Sequence, residues 1–262
     1  MNEKKVSHYE LIIGDVKETL PKFPNKFDLI IADPPFGLEF DKSCHEYGSK
    51  DYILYEDKFE GKEYETFSHD WISKCYDALN DEGALYIISG WTRIGDILNA
   101  VKKTKFILIN HIIWRFSWGV FTKRKYVTSH YHILFLVKDE KKYKFFPQTK
   151  NPKTQRKGVK YEEDVWFWSE YNRGNDPDRI KGHPCQLPIC LLEKIIKISS
   201  EDGDWIGDVF SGSGGTTLAA RKLNRNVIAM ELSKEYEPII KKKAKFGEKI
   251  IPESKKKTLL HF

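Results

Sequence analysis

The 262-residue sequence predicts an α/β protein built on a mostly parallel sheet, and three observations carry the prediction. First, uninterrupted apolar runs of strand length recur, among them Phe27 to Ala32 (FDLIIA) and Ala84 to Ser89 (ALYIIS). A strand that is apolar on both sides belongs in a sheet covered on both faces. Second, helical periodicity separates such runs: Phe67, Trp71, Cys75 and Leu79 fall four residues apart. Third, Trp205 to Met230 reads as a complete β-α-β unit, whose two strands run parallel. With 40% hydrophobic and 31% charged residues, the composition excludes disordered and collagen-like chains. The length predicts a single domain over residues 1–262 with a small appendage.

In chain order, Leu11 to Gly14 is a short apolar strand, and Phe27 to Ala32 is the next, stopped by Asp33-Pro34. Tyr64 to Leu79 is an amphipathic helix that ends near Gly83, and Ala84 to Ser89 is the strand that follows. Phe106 to Trp114 and Tyr131 to Val137 are two further strands, rich in Ile, Leu and Phe. Pro188 opens a helix through Ser200, with Ile189, Leu192, Ile195 and Ile196 on or near one face and Gly203 beyond its end. The closing unit is strand Trp205 to Phe210, loop Ser211 to Gly215, helix Thr216 to Leu223 and strand Asn226 to Met230, ending at Glu231. From about Asp139 to Lys181 the alternation lapses, which predicts an inserted appendage there.

The net charge of +6 hides a strong segregation. Residues 1–100 hold 11 Lys/Arg against 20 Asp/Glu, residues 101–160 hold 16 against 2, and residues 161–262 hold 17 against 16. A basic stretch that also contains Trp114, Trp118, Phe121, Tyr126 and Phe145 is read as a surface for a polyanion, most simply nucleic acid. No apolar run approaches the roughly 18 residues of a membrane helix, and residues 1–10 lack a signal peptide's apolar core, so a cytoplasmic protein without membrane contact is expected. The four cysteines form no C-x-x-C pair. His183-x-Cys185-x4-Cys190 is the nearest approach to a metal cluster, but it lacks a fourth ligand, so no metal is expected.

Two motifs carry chemistry. Asp208-Val-Phe-Ser-Gly-Ser-Gly-Gly-Thr-Thr217 sits where a strand becomes a helix, and Gly212, Gly214 and Gly215 permit a sharp turn and close approach of a ligand. Such a loop suits a dinucleotide pyrophosphate or the amino-acid end of another nucleoside cofactor. Thr217 stands at the third glycine position of G-x-G-x-x-G, and no Lys follows as in a P-loop. Glu231, at the end of the next strand and 19 residues after Gly212, supplies a carboxylate for the hydroxyls of a ribose. The second motif, Asp33-Pro34-Pro35-Phe36, leaves the strand Phe27 to Ala32. Ligands of open α/β sheets bind beyond the carboxyl ends of the strands, so Asp33 and Ser211 to Gly215 are expected in one crevice. Two prolines remove two backbone donors and leave an acceptor-only turn, suited to an NH2 group, beside an aromatic face for a planar base.

Together the motifs resemble the β class of DNA amino-methyltransferases, in which an Asp-Pro-Pro-aromatic turn precedes the cofactor loop. The resemblance covers nearly the whole chain: Ile13-Gly14-Asp15 with Leu20-Pro21 and Phe27-Asp28, Ser129-His130 ahead of Ile133-Leu134, Val165-Trp166, and Lys181-Gly-His-Pro-Cys-Gln-Leu-Pro188. Four positions depart from the family: Leu187 replaces Lys in H-P-x-Q-K-P, Val209 replaces Pro, and Tyr131-His132 replaces Glu-Tyr. The resemblance implies a Rossmann-like sheet of the S-adenosylmethionine-dependent methyltransferase type with a basic recognition insertion at about 139–181. It implies S-adenosyl-L-methionine as cofactor, held by Asp15, Asp33, His183, Asp208, Phe210, Gly212, Ser213, Gly214 and Glu231, and catalysis by Asp33, Pro34, Pro35 and Phe36. Double-stranded DNA is the implied partner, with Lys123, Arg124, Lys125, Lys150, Lys153 and Arg156 on its phosphates. A cognate restriction endonuclease and a homodimer are further expectations. Asp at the first motif position favours adenine over cytosine N4. An RNA or protein-glutamine methyltransferase places the two motifs in the reverse order, a nicotinamide dehydrogenase is disfavoured by Thr217, and a non-catalytic DNA-binding protein is the remaining rival.

Overall fold

The computed structural model describes residues 7–37, 59–116, 121, 123–148, 161–168, 177–248 and 250. The elements are β1 (Tyr9–Ile13), α1 (Val16–Thr19) with a 3-10 turn Leu20–Lys22, β2 (Phe27–Ala32), α2 (Glu63–Ala78), β3 (Leu79–Ser89), α3 (Ile94–Lys102), β4 (Ile107–Phe116), β5 (His130–Val137), β6 (Val165–Trp168), α4 (Ile189–Ser199), β7 (Trp205–Asp208), α5 (Gly215–Lys222), β8 (Asn226–Glu231), a 3-10 turn Lys234–Tyr236, and α6 (Glu237–Lys243). The described strands form one sheet in the order β1-β8-β7-β2-β3-β5-β4-β6. β5 runs against its neighbours β3 and β4, and every other pairing is parallel.

The apolar runs behave as a doubly covered sheet requires. Along β2, Leu29 and Ile31 face one core with α4 and α5, while Ile30 and Ala32 face the other with α2 and α3. The same alternation divides β3, with Tyr86 and Ile88 on the first side and Leu85 and Ile87 on the second. These strands read as continuous hydrophobic runs because both faces are buried.

Most sequence-predicted elements lie within a few residues of the observed ones. β3 begins earlier than expected, at Leu79, and a register shift between Phe27 and Leu29 of β2 absorbs the polar Asp81 and Glu82. β7 ends at Asp208 rather than Phe210, because Val209 and Phe210 already belong to the turn. Three helices were not anticipated: α1, α3 and α6. The stretch from about Asp139 to Lys181 is also not wholly irregular, since Val165–Trp168 pairs with β4 as the edge strand.

The strand order places the site. β7 and β2 are adjacent and parallel, and the chain leaves β7 toward β8 on one side and β2 toward β3 on the other. That reversal opens a crevice at the carboxyl ends of the pair. Ile31 stands opposite Asp208, so Asp33 and Val209 leave the sheet side by side. Farther along the same edge, Ile13 pairs with Glu231, which brings Gly14-Asp15 alongside.

Candidate active site

A cavity of about 400 Å³ opens at this edge. Its walls include Asp33, Pro34, Pro35 and Phe36 from the β2 turn, Phe210, Gly212 and Ser213 from the β7 loop, Glu231 from β8, Asp15 from the β1 turn, and His183. Both chemical motifs therefore face one space. Asp208 and Gly214 are not among the residues that line it.

Asp208 works beneath the loop. Its carboxylate is buried and accepts from Ser211 Oγ at 3.1 Å, Thr217 N at 3.2 Å and Thr217 Oγ1 at 2.8 Å. The loop's two ends are thus tied to one oxygen. Burial pushes the Asp208 carboxyl from its ordinary 3.8 up to about 6, with Glu231 adding to the rise and the three hydrogen bonds opposing it. Between pH 3.8 and 6 the folded protein holds this proton and the unfolded chain does not, so the group's contribution to stability declines as pH rises through that window. Asp208→Asn removes the charge while keeping an acceptor oxygen. It is expected to flatten that part of the stability profile and to raise stability at pH 7 by about 1–2 kcal/mol, whereas Asp208→Ala, which leaves buried donors unmet, costs about 2–3 kcal/mol. Denaturant unfolding of both variants at pH 4.5 and 7 measures the difference.

Gly214 and Gly212 have positive φ values of 83° and 53°, which glycine adopts without strain. A Cβ on Gly214 would lie 3.1 Å from the Ile240 carbonyl oxygen, and one on Gly212 would lie 2.9 Å from His183 Nε2. The loop is thus pressed between α6 and the His183 ring, which itself packs on Tyr236 with centroids 4.9 Å apart. Glu231 accepts from Gly212 N and from Ser233 N, both at 2.9 Å, one on each carboxylate oxygen. With the Leu232 backbone as a third donor, the carboxylate still has acceptor capacity for a hydroxyl. Burial raises the Glu231 carboxyl above its usual range, while the backbone donors hold it down. Asp15 caps α1 by accepting from Lys17 N at 2.8 Å, and the neighbouring Gly14 N donates to the Glu231 carbonyl at 2.8 Å.

On the other side of the cavity the β2 turn is braced by residues that the sequence reading did not assign to the site. The hydroxyl of Tyr64, a fully buried residue on the first turn of α2, donates to the Pro35 carbonyl at 2.8 Å. Phe36 meets Tyr131 edge to face at 5.4 Å, and Tyr131 in turn packs on Trp114 and Phe116. Tyr131 and Trp114 both line the cavity, as do Phe67, Cys185, Gln186 and Tyr236. Phe210 packs edge to face on Trp71 at 5.2 Å. An aromatic compartment beside Asp33 and a hydrogen-bonding compartment beside Gly212 and Glu231 share one opening.

Lys123, Arg124 and Lys125 are exposed, whereas Lys150, Lys153 and Arg156 lie outside the described residues. Among the described residues no cluster of His, Cys, Asp or Glu could hold a metal ion, and no helix is long and apolar enough to cross a membrane.

The crevice, the glycine loop and the carboxylate at the end of the following strand define an α/β protein built to hold a nucleoside cofactor beside an acceptor-only turn. Comparison with known proteins supplies the family. A model described as DNA methylase, for the N6 and N4 methyltransferases, matches residues 27–242. The chain is 32% identical over 219 residues to the type II methyltransferase M.HpaI of Haemophilus parainfluenzae, covering 81% of this chain and 66% of that protein. To M.HinfI of Haemophilus influenzae it is 28% identical over 244 residues, covering 89% and 67%. The chain thus spans about two thirds of the length of these two relatives. A solved M1.HpyAVI complex with S-adenosylmethionine superimposes with a TM-score of 0.61 at 25% identity, over 90% of this chain and 98% of that one. The cytosine-N4-specific PvuII DNA methyltransferase superimposes with a TM-score of 0.67 at 20% identity, over 98% and 95%, which is a likeness of fold. The chain belongs to the N6/N4 DNA methylases, the family in which S-adenosylmethionine is the methyl donor.

The cavity's donor set fits that cofactor. Glu231 suits ribose hydroxyls, and Gly212 and Ser213 of the loop line the cavity beside it. When bound, the cofactor supplies a sulfonium methyl. The chain's own contribution is a cavity whose walls carry both motifs, with Asp33 on one side and Glu231 on the other.

Proposed function

We propose that the protein is a site-specific methyltransferase that modifies the N6 amino group of adenine in double-stranded DNA, as the modification partner of a restriction endonuclease. The carrying observation is that Asp33 to Phe36 and the Gly212 loop line one cavity. An exocyclic amine is a weak nucleophile because its lone pair is delocalised into the ring. The Asp33 carboxylate and the Pro34 carbonyl, accepting its two hydrogens, would favour a tetrahedral nitrogen with a localised lone pair; transfer would form the nitrogen–carbon bond as the carbon–sulfur bond breaks, S-adenosylhomocysteine leaving and the nitrogen's surplus proton passing to solvent. Fixing the two reactants in line accounts for roughly 7–11 kcal/mol of a barrier in well-oriented systems. In a duplex the amine is paired, so the base must be flipped out at a cost of a few kcal/mol, which stacking on Phe36 and Tyr131 offsets in part.

Asp at the first motif position supports adenine. Residues of about 139–181, with Lys150, Lys153 and Arg156, are the target-recognition region in this reading, and Lys123 to Lys125 contact phosphates. The same reading places the enzyme in the cytoplasm, where its DNA is, and leaves a homodimer as an arrangement for sedimentation to test.

The test is incubation of mixed-sequence duplex DNA with methyl-labelled S-adenosylmethionine, followed by mass analysis of the nucleosides. N6-methyladenine is the expected product. N4-methylcytosine would overturn the choice of base, and no transfer to DNA would overturn the reading as a whole.

A further inference from the structure

Lys243 closes α6 after two exposed lysines, yet its own side chain is buried, with the residue only 3% exposed. Its ammonium donates to Gln186 Oε1 at 2.7 Å and lies 3.4 Å from Ser213 Oγ. Gln186 and Ser213 both line the cavity. A charge is a costly way to fill interior space, since desolvating an ammonium takes several kcal/mol unless hydrogen bonds offset it. A methionine would fill the same volume without that cost. The helix that delivers the charge is firmly seated: Gly214 packs against Ile240, and the Arg221 guanidinium donates to the carbonyls of Ala244, Lys245 and Glu248 just past the helix end.

We propose that Lys243 is a positioning residue for the amino-acid end of the cofactor, acting through Ser213 and Gln186. The inference rests on the cavity being the cofactor site. An ammonium only donates, so a serine oxygen that accepts from it must turn its single hydrogen elsewhere, and Ser213 faces the cavity. The hydroxyl is thereby presented as a donor to a carboxylate. Gln186 is set in the same way. Its oxygen accepts from Lys243 and from Ile180 N, so its NH2 donates to the carbonyls of Ile180 at 2.5 Å and His183 at 3.0 Å. That bracket holds His183 against Gly212. Leu187 leaves the Gln186-Leu-Pro188 segment without a cation of its own, and α6 brings one to it from 57 residues farther along the chain.

Two probes separate this role from general support of the fold. S-adenosylhomocysteine carries the amino-acid end, and 5′-methylthioadenosine has the same nucleoside without it. By calorimetry, Lys243→Met is expected to weaken S-adenosylhomocysteine about tenfold, the worth of a hydrogen bond to a charged group, and to leave 5′-methylthioadenosine unchanged. Lys243→Arg should restore most of the loss. If the Met variant does not fold, Ser213→Ala should show the same split between the two probes. Equal weakening of both probes, or of neither, overturns the proposal. Glu231→Ala is the control on the cavity: it should weaken both probes, and if it weakens neither, the placement of the cofactor fails rather than the role of Lys243.

Discussion

Asp33→Asn is expected to lower the rate constant for methyl transfer by about 10²–10³-fold, the usual cost of losing one preorganised electrostatic partner of a transition state, while S-adenosylhomocysteine still binds. The amine gains positive character as its lone pair commits to the methyl group, so an interaction with a carboxylate strengthens along the reaction coordinate. A neutral amide keeps an acceptor but not the charge, and hydrogen bonds to ionised groups are roughly twice as strong as neutral ones. The effect should fall on kcat because the turn is braced by residues on either side of the carboxylate's own contacts: Tyr64 Oη fixes the Pro35 carbonyl, and Phe36 is packed on Tyr131. Single-turnover transfer to duplex DNA, measured beside cofactor affinity, separates the two. A loss confined to KM, or full activity, would remove Asp33 from the chemistry.

The braces around Asp33 mark where sequence reading stops. FDLIIA and ALYIIS are legible as buried strands because a doubly covered sheet demands apolar residues on both faces, and the closing β-α-β unit is legible because its strand, glycine turn and helix are contiguous. Asp33 and Gly212 could then be placed in one crevice from topology alone. Tyr64, Trp114 and Tyr131 were each visible as members of a helix or strand, but the arrival of Trp114 and Tyr131 at the cavity, and of Tyr64 behind its Pro35 wall, depends on crossings of 29 residues and more that no local period records. α3 is a different case: Ile94, Ile97, Leu98 and Val101 follow the spacing of an amphipathic helix, so its signal was present in the sequence. α6 carried a misleading signal, since Lys241, Lys242 and Lys243 in a row read as a solvated face although the third is buried. Asp208 was assigned to the ligand from its place in the motif, yet the sequence does not reveal that Thr217, nine residues on, returns to its carboxylate.

DNA affinity is expected to fall about 10³-fold between 50 and 200 mM salt. The charge count alone overstates the basic surface, because several of the 16 cations in residues 101–160 are engaged within the fold. Lys144 lies between Asp28 and Asp204, Lys138 reaches the Leu79 carbonyl and Asp81, and Lys103 pairs with Glu65. These neutralise the protein's own acids and release no counterions from DNA. The six proposed contacts, Lys123, Arg124, Lys125, Lys150, Lys153 and Arg156, set the expected number. With about 0.9 counterions released per phosphate neutralised, six contacts give a slope near −5 in log affinity against log salt, which over a fourfold change in salt is the thousandfold loss. Replacing Lys123, Arg124 and Lys125 together by Ala should bring the slope to about −2.7, with methyl transfer at saturating DNA retained, since none of the three lines the cavity. A wild-type slope shallower than about −2, or a triple variant with an unchanged slope, would mean that the basic segment does not lie on the phosphates and that the DNA path must run elsewhere across the carboxyl edge of the sheet.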